Sequence, residues 1–225
     1  INAHKNNRYF TSKDGVLFNK SKTTLVAYPA GLNNETYDLS NTVNKIGVCS
    51  FAYSKILTID LKKVKIIDGL AFGYSNIDTI VIPDSVTVLG KEAFAYSKIR
   101  NITLGKGIKT LPDSCFNMTN YIENILIPNN VIEIGPACFE KSCVKTVLFE
   151  KNSELISIGG GAFYKSSLNE ISLPDSVIYI NEFAFRNSEL NKVNINNSSN
   201  LKYIGDGAFC STSISNINLP KKLET

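Results

Sequence analysis

Ile80-Val81-Ile82-Pro83-Asp84-Ser85-Val86-Thr87-Val88-Leu89-Gly90-Lys91-Glu92-Ala93-Phe94-Ala95-Tyr96-Ser97-Lys98-Ile99 packs three apolar segments and two corners into one short stretch. The alternation in Ile80-Val81-Ile82 suits a brief strand with one buried face, and Pro83 ends it by withholding a ladder donor. Asp84-Ser85 supplies turn chemistry. Val86-x-x-Leu89 predicts a second inward-facing extended segment, Gly90 permits the next corner, and Ala93-Phe94 predicts a one-turn helix or 3-10 segment. None of these segments can bury its apolar side alone.

The same phrase returns along the chain. Phe51, Phe72, Phe94, Phe116, Phe139, Phe163, Phe185 and Phe209 are spaced by 21, 22, 22, 23, 24, 22 and 24 residues. Pro128, Pro174 and Pro220 repeat the role of Pro83, with Asn129-Asn130 and Asp175-Ser176 at their corners, and Gly135, Gly159 and Gly205 repeat that of Gly90. A fixed period of this length is the mark of a solenoid, in which each coil buries its face only against its neighbours. The fold expected is a repeat solenoid, mainly β with short helical or 3-10 turns. Stacking at about 4.8 Å per coil makes it roughly 40 Å long. The Phe column then forms an internal spine rather than an aromatic ligand site.

Residues 1–35 do not follow the repeat. Tyr9-Phe10-Thr11, Val16-Leu17-Phe18 and Thr24-Leu25-Val26-Ala27-Tyr28 are strand-like, joined by Lys13-Asp14-Gly15 and Asn19-Lys20-Ser21-Lys22. They predict a β-meander cap over the open N-terminal edge. Residues 36–225 then hold about eight coils and the start of a ninth, at Leu219-Pro220-Lys221-Lys222-Leu223, whose exposed edge is expected to be open to pairing.

Composition removes several functions. The 225 residues contain one His (His4) and no Trp beside 26 Asn, 22 Ser and 14 Thr, so histidine-based catalysis and His-rich metal sites lack their residue while turn formers abound. A net charge of +4 from 24 Lys+Arg and 20 Asp+Glu is too dispersed for the basic stripe that nucleic acid requires. Mean hydropathy is −0.02, and no apolar run approaches the ~18 residues of a spanning helix. A membrane link is expected only through an anchor outside this stretch.

Ile82-Pro83-Asp84-Ser85-Val86-x-x-Leu89-Gly90-x-x-Ala93-Phe94-x-x-Ser97-x-Ile99, with its copy Leu173-Pro174-Asp175-Ser176-Val177-x-x-Ile180 leading to Ala184-Phe185, resembles the BspA-like class of leucine-rich repeats. The segment Phe10 to Pro29 is similar to a hairpin unit that accompanies such repeats. The resemblance implies a right-handed leucine-rich-repeat solenoid on the surface of mucosal bacteria and protists. It also implies adhesion to host cells or to matrix proteins such as fibronectin or fibrinogen, with no catalytic residues and no cofactor. One departure is plain: the Cys that the family often places three positions after the Phe is here Ser54, Ser75, Ser97, Thr119, Ser142, Ser166, Ser188 and Thr212, so no thiol chemistry carries over for that column, although a hydroxyl can still bond the turn backbone.

Five cysteines do not make a disulfide framework. Cys115 and Cys138 share the slot before the Phe in adjacent coils, where either a bridge or two small buried side chains is admissible. Sequons begin at Asn19, Asn34, Asn101, Asn117, Asn196 and Asn197; chance alone yields roughly four in this composition, so they settle nothing.

Two outward columns are candidate protein-binding surfaces. Two residues after each Phe stand Tyr53, Tyr74 and Tyr96, followed by Met118, Lys141 and Lys165, a ladder open to both stacking and partner binding. On the first strand the outward residue runs Val81, Thr103, Leu126 and Leu148, apolar where a solvated strand is polar, and Arg100, Glu123 and Lys145 flank it. Glu150–Glu154 and Asn196–Asn200 are longer corners on one edge and rank below the strand face. The leading expectation is a non-enzymatic protein-binding module of a cell-surface or secreted adhesin. An intracellular scaffold is the alternative. A carbohydrate-active β-helix enzyme would need converging acids, and Asp84 and Asp175 share a column four coils apart, where turn formation accounts for both.

Overall fold

A computed structural model describes residues 1–224, which form a β-solenoid of eight coils behind an N-terminal meander. The meander is β1 (Phe10–Lys13), β2 (Val16–Asn19) and β3 (Thr24–Ala27). Coils 1 to 4 each contribute two strands: β4 (Thr36–Tyr37) and β5 (Lys45–Ile46), β6 (Thr58–Ile59) and β7 (Ile66–Ile67), β8 (Thr79–Val81) and β9 (Val88–Leu89), β10 (Asn101–Thr103) and β11 (Thr110–Leu111). Coils 5 to 8 follow with β12 (Asn124–Ile127) and β13 (Glu133–Ile134), β14 (Thr146–Phe149) and β15 (Ser157–Ile158), β16 (Glu170–Ser172) and β17 (Tyr179–Ile180), β18 (Lys192–Asn194) and β19 (Tyr203–Ile204).

Equivalent strands of successive coils pair in parallel, as Ile125↔Val147 and Ile134↔Ile158 illustrate. The meander is antiparallel within itself, and its last strand joins the row of second strands through Leu25↔Ile46. It therefore supplies the first coil's second strand with a hydrogen-bonded neighbour, and Val16, Phe18 and Leu25 are buried beneath it.

The core is the Phe spine. Phe51 to Phe185 are fully buried, and the eight rings stack with centroids 5.1 to 5.6 Å apart. Tyr28 extends the stack into the meander at 5.1 Å from Phe51. Three positions after most of the Phe residues the hydroxyl donates back to the Phe carbonyl, as from Ser75 at 2.7 Å and Ser142 at 2.8 Å. The replacement of the family's Cys by Ser or Thr thus keeps the turn tied.

The expected one-turn helix at each Phe is corrected by the structure: no described residue is helical. The segment is a chain of tight turns instead, for example Ala52 N–H to Cys49 O and Ser54 N–H to Phe51 O. Residues two before and two after each Phe hold a left-handed backbone, among them Glu92 (φ 57) and Tyr96 (φ 59) around Phe94. Alternating the backbone hand turns every second amide toward the next coil, so Phe94 N–H bonds Cys115 O and Tyr96 N–H bonds Asn117 O. A helix would have spent those amides internally. The turn becomes a third ladder that runs the length of the solenoid.

Coil 4 is a joint. The row of first strands splits into β4-β6-β8-β10 and β12-β14-β16-β18, and the row of second strands splits one coil earlier, between β9 and β11. Two local features account for this. In other coils the residue after the second strand donates its N–H to the coil before, as Gly90 does to Ile67 O and Gly135 to Leu111 O, but coil 4 has Pro112 there, which has no N–H. Between Phe116 and Ile122 the coil also carries one residue more than between Phe94 and Ile99, and β12 does not pair with β10. The Phe turns continue across the joint through Phe94 to Cys115 and Phe116 to Cys138. Replacing Pro112 with Asn, the residue at the equivalent position 181, is expected to close the bond to Leu89 O; a slowly exchanging amide at residue 112 in hydrogen exchange would show it, and fast exchange would refute it.

At the C-terminal end Ser213–Leu219 form no strand, Leu219 is half exposed, and Ile214, Ile217 and Leu223 pack against the core.

Candidate functional site

The first-strand face is built by parity. Ile80, Ile125 and Val147 point inward and are buried, which turns Val81, Leu126 and Leu148 to solvent at 58%, 50% and 55% exposure. Thr103 is exposed in the same column. The structure therefore brings Val81, Thr103, Leu126 and Leu148 together on consecutive coils, with Leu126 and Leu148 directly paired in register. This is a largely apolar strip carried by two hydrogen-bonded ladders, one under Val81 and Thr103 and one under Leu126 and Leu148.

Arg100, Glu123 and Lys145 enter the same face one residue before their strands. Arg100 pairs with Asp78 of the coil before it, and its guanidinium lies 4.8 Å above the Tyr121 ring. Lys145 Nζ pairs with Glu123 Oε1 at 3.0 Å. Similar ion pairs join neighbouring coils elsewhere, as Lys91 with Asp113 and Lys45 with Asp68, so the charges are spent along the stack and no basic stripe forms from them. Asp78 and Tyr121 are members of the face that the sequence reading passed over. Asp78 sits one repeat before Arg100, and that register was the available signal.

A cleft of about 450 Å³ opens where the first-strand row is interrupted, lined by Val81, Arg100, Ile102, Thr103, Tyr121 and Glu123. A second, of about 460 Å³, lies at the other end of the strip between the two long corners. Its walls include Leu148, Phe149, Asn152, Ser153, Pro174 and Asn196. The long corners and the strand face, separate features in the sequence, are thus one continuous surface with an apolar floor and an amide and hydroxyl rim. The corner at Asp175 ties them down: its carboxylate accepts from Asn196 Nδ2 at 2.8 Å and Ser198 Oγ at 2.7 Å, and these bonds, that from Ser198 first, hold its pKa below the usual aspartate range. Asp84 likewise accepts the Lys106 N–H at 2.8 Å, a turn-fastening role.

Tyr53, Tyr74 and Tyr96 lie on the Phe turns, and none of them lines the strand-face clefts. Their rings stack at 4.8 and 4.4 Å with interplanar angles of 11° and 6°. Loss of water, then the neighbouring Tyr96 and Tyr53, raise the Tyr74 pKa. Stacking occupies the inner ring faces, and the outer face of Tyr53, the ring edges and the hydroxyls stay exposed. Cys115 and Cys138 are both free and fully buried, and burial pushes both thiols up in pKa, away from the reactive thiolate.

The sequence pattern of the BspA type leucine-rich repeat region matches residues 27–148 and 134–225, in six copies. A leucine-rich repeat protein from Eubacterium ventriosum ATCC 27560 shares the fold with a TM-score of 0.72 and 21% identity, over 96% of this chain and 53% of its own. For the pneumococcal vaccine antigen PcpA the values are 0.61 and 17%, over 96% and 71%. For a leucine-rich repeat protein from Bacteroides ovatus ATCC 8483 they are 0.52 and 21%, over 95% and 87%. The chain spans about half the length of the Eubacterium protein. At these identities the likeness speaks for the fold. Among curated proteins none matches the chain.

Proposed function

Because the chain belongs to the BspA-type leucine-rich-repeat family, we propose that it is a non-enzymatic protein-binding module of a cell-surface adhesin, and that it engages host or matrix proteins through the first-strand face. The observation that carries the reading is the apolar strip of Val81, Leu126 and Leu148, half or more exposed, with Leu126 and Leu148 held in register by their ladder. A strip of this kind, edged by charged pairs and ending in an amide-rich cleft, has the apolar centre and polar rim of a protein-binding patch. Family membership supports the adhesive role and the surface location that goes with it.

The test is a pair of substitutions that leaves the core alone. Leu126→Asp with Leu148→Asp changes only outward side chains, so stability is expected to hold within about 0.5 kcal/mol for each. Binding to immobilised fibronectin or fibrinogen, or to host epithelial cells, is expected to fall at least tenfold, about 1.4 kcal/mol or more. Unchanged binding by a variant with the wild-type melting curve would remove the strand face from the proposal.

A further inference from the structure

At the entry to the first strands the charges run Asp78, Arg100, Glu123, Lys145, alternating in sign with one charge per coil from coil 3 to coil 6. They are consumed two by two, Asp78 with Arg100 and Glu123 with Lys145, and among the described residues no ion pair joins Arg100 to Glu123 across the interrupted row. A run of four alternating charges turned end for end presents the opposite sign at every position. A two-fold axis lying parallel to the strands, between β10 and β12, therefore sets Asp78 against Lys145 of a second copy and Arg100 against its Glu123.

That axis also keeps each column facing itself. Val81 then meets the second copy's Leu148, and Thr103 meets its Leu126, so the apolar strip is buried against itself. Farther out, Asp60 falls opposite Ser172 and Asp38 opposite Asn194, with no like charges opposed. The axis passes through the break in the first-strand row, which leaves four first strands on either side, so the whole row overlaps. We propose that the first-strand face is an isologous interface through which two copies of this chain pair antiparallel. The proposal rests on the reading of this face as protein-binding and names its occupant as a second copy.

Eight coils at ~4.8 Å, crossed by first strands of two to four residues and so roughly 10 Å long, offer roughly 400 Å² a side. That is about half of the ~800 Å² a side of a standard interface, so pairing is weak and concentration-dependent. Sedimentation equilibrium of the 225-residue chain from low micromolar to about 500 μM is expected to show monomer and dimer, with association weakened about tenfold between 50 and 500 mM NaCl as screening grows. Leu126→Asp with Leu148→Asp is expected to be monomeric throughout, with an unchanged melt.

The decisive variant reverses the whole ladder: Asp78→Lys, Arg100→Glu, Glu123→Lys and Lys145→Glu. Its internal pairs are retained, and it is expected to dimerise as the native chain does. Mixed with the native chain it places like charges together at all four positions, so energy transfer between differently labelled native and reversed chains is expected below about one tenth of that within either species. A chain that stays monomeric at 500 μM, or free mixing of the two ladders, overturns the proposal. A monomeric chain that still binds matrix protein through Leu126 and Leu148 would sink the pairing and leave the binding face standing. A dimer whose disruption leaves matrix binding intact would do the reverse.

Discussion

Phe139→Ala is expected to lower the free energy of unfolding by about 3–5 kcal/mol, the range for removal of a fully buried Phe. Its ring lies 5.2 Å from Phe116 on one side and 5.2 Å from Phe163 on the other, so the cavity opens against two coils at once. In a stack where each coil contacts only its neighbours, one substitution weakens two interfaces at once. Phe209→Ala supplies the comparison. That ring is only partly buried and stacks on Phe185 alone, at 5.3 Å, so its removal is expected to cost about half as much. Urea unfolding followed by far-ultraviolet circular dichroism reads both. Equal losses at the two positions would mean that two-sided stacking is not the source of the cost.

The second large effect is at Gly107→Ala. A Cβ at this position would lie 2.3 Å from both the Asp84 and the Val86 carbonyl oxygens. Both are backbone atoms of the coil before and cannot swing aside, which places the cost at the upper end of overpacking, about 3 kcal/mol. The reason is specific to coil 4. Where coil 3 has Pro83-Asp84-Ser85, with Ser85 reaching back to Val64 O at 2.7 Å, coil 4 has Gly105-Lys106-Gly107, and the backbone itself closes on the neighbour. Gly31→Ala, where a Cβ meets nothing within 4 Å, is expected to change stability by less than about 0.5 kcal/mol. Thermal melts of the two variants test the contrast, and a Gly107→Ala chain as stable as the native one would contradict the close approach.

The repeat, its parity and its spine were legible because burial has a period: Ile80, Ile125 and Val147 had to point inward for Val81, Leu126 and Leu148 to point out. The Phe turn was misread because Tyr, Met and Lys give no local sign of a left-handed backbone. Only Gly161 and Gly207 mark the column two before the Phe, and the non-glycine residues that fill it in other coils, such as Glu92 and Phe183, hide it. Tertiary demand, the need to hand an amide to the next coil, overrides propensity there. The joint was partly in view, since Pro112 lies outside its usual corner and the step from Phe116 to Ile122 is long, yet only the ladders show that the two irregularities fall in the same coil. The union of the long corners with the strand face was out of reach, because it depends on where Phe149 and Asn196 lie in space.

The staggered joint at coil 4 bears on how the chain acquires its structure. Coils 1 to 3 share a second-strand row with the meander and an unbroken first-strand row, and coils 5 to 8 share their own rows, so each group can cooperate internally before coil 4 docks them. The folding route expected from this arrangement is two nuclei meeting rather than one zipper running end to end. A nascent chain that has emerged only as far as coil 3 already holds, in the meander and its first coils, a unit able to hide its own edge.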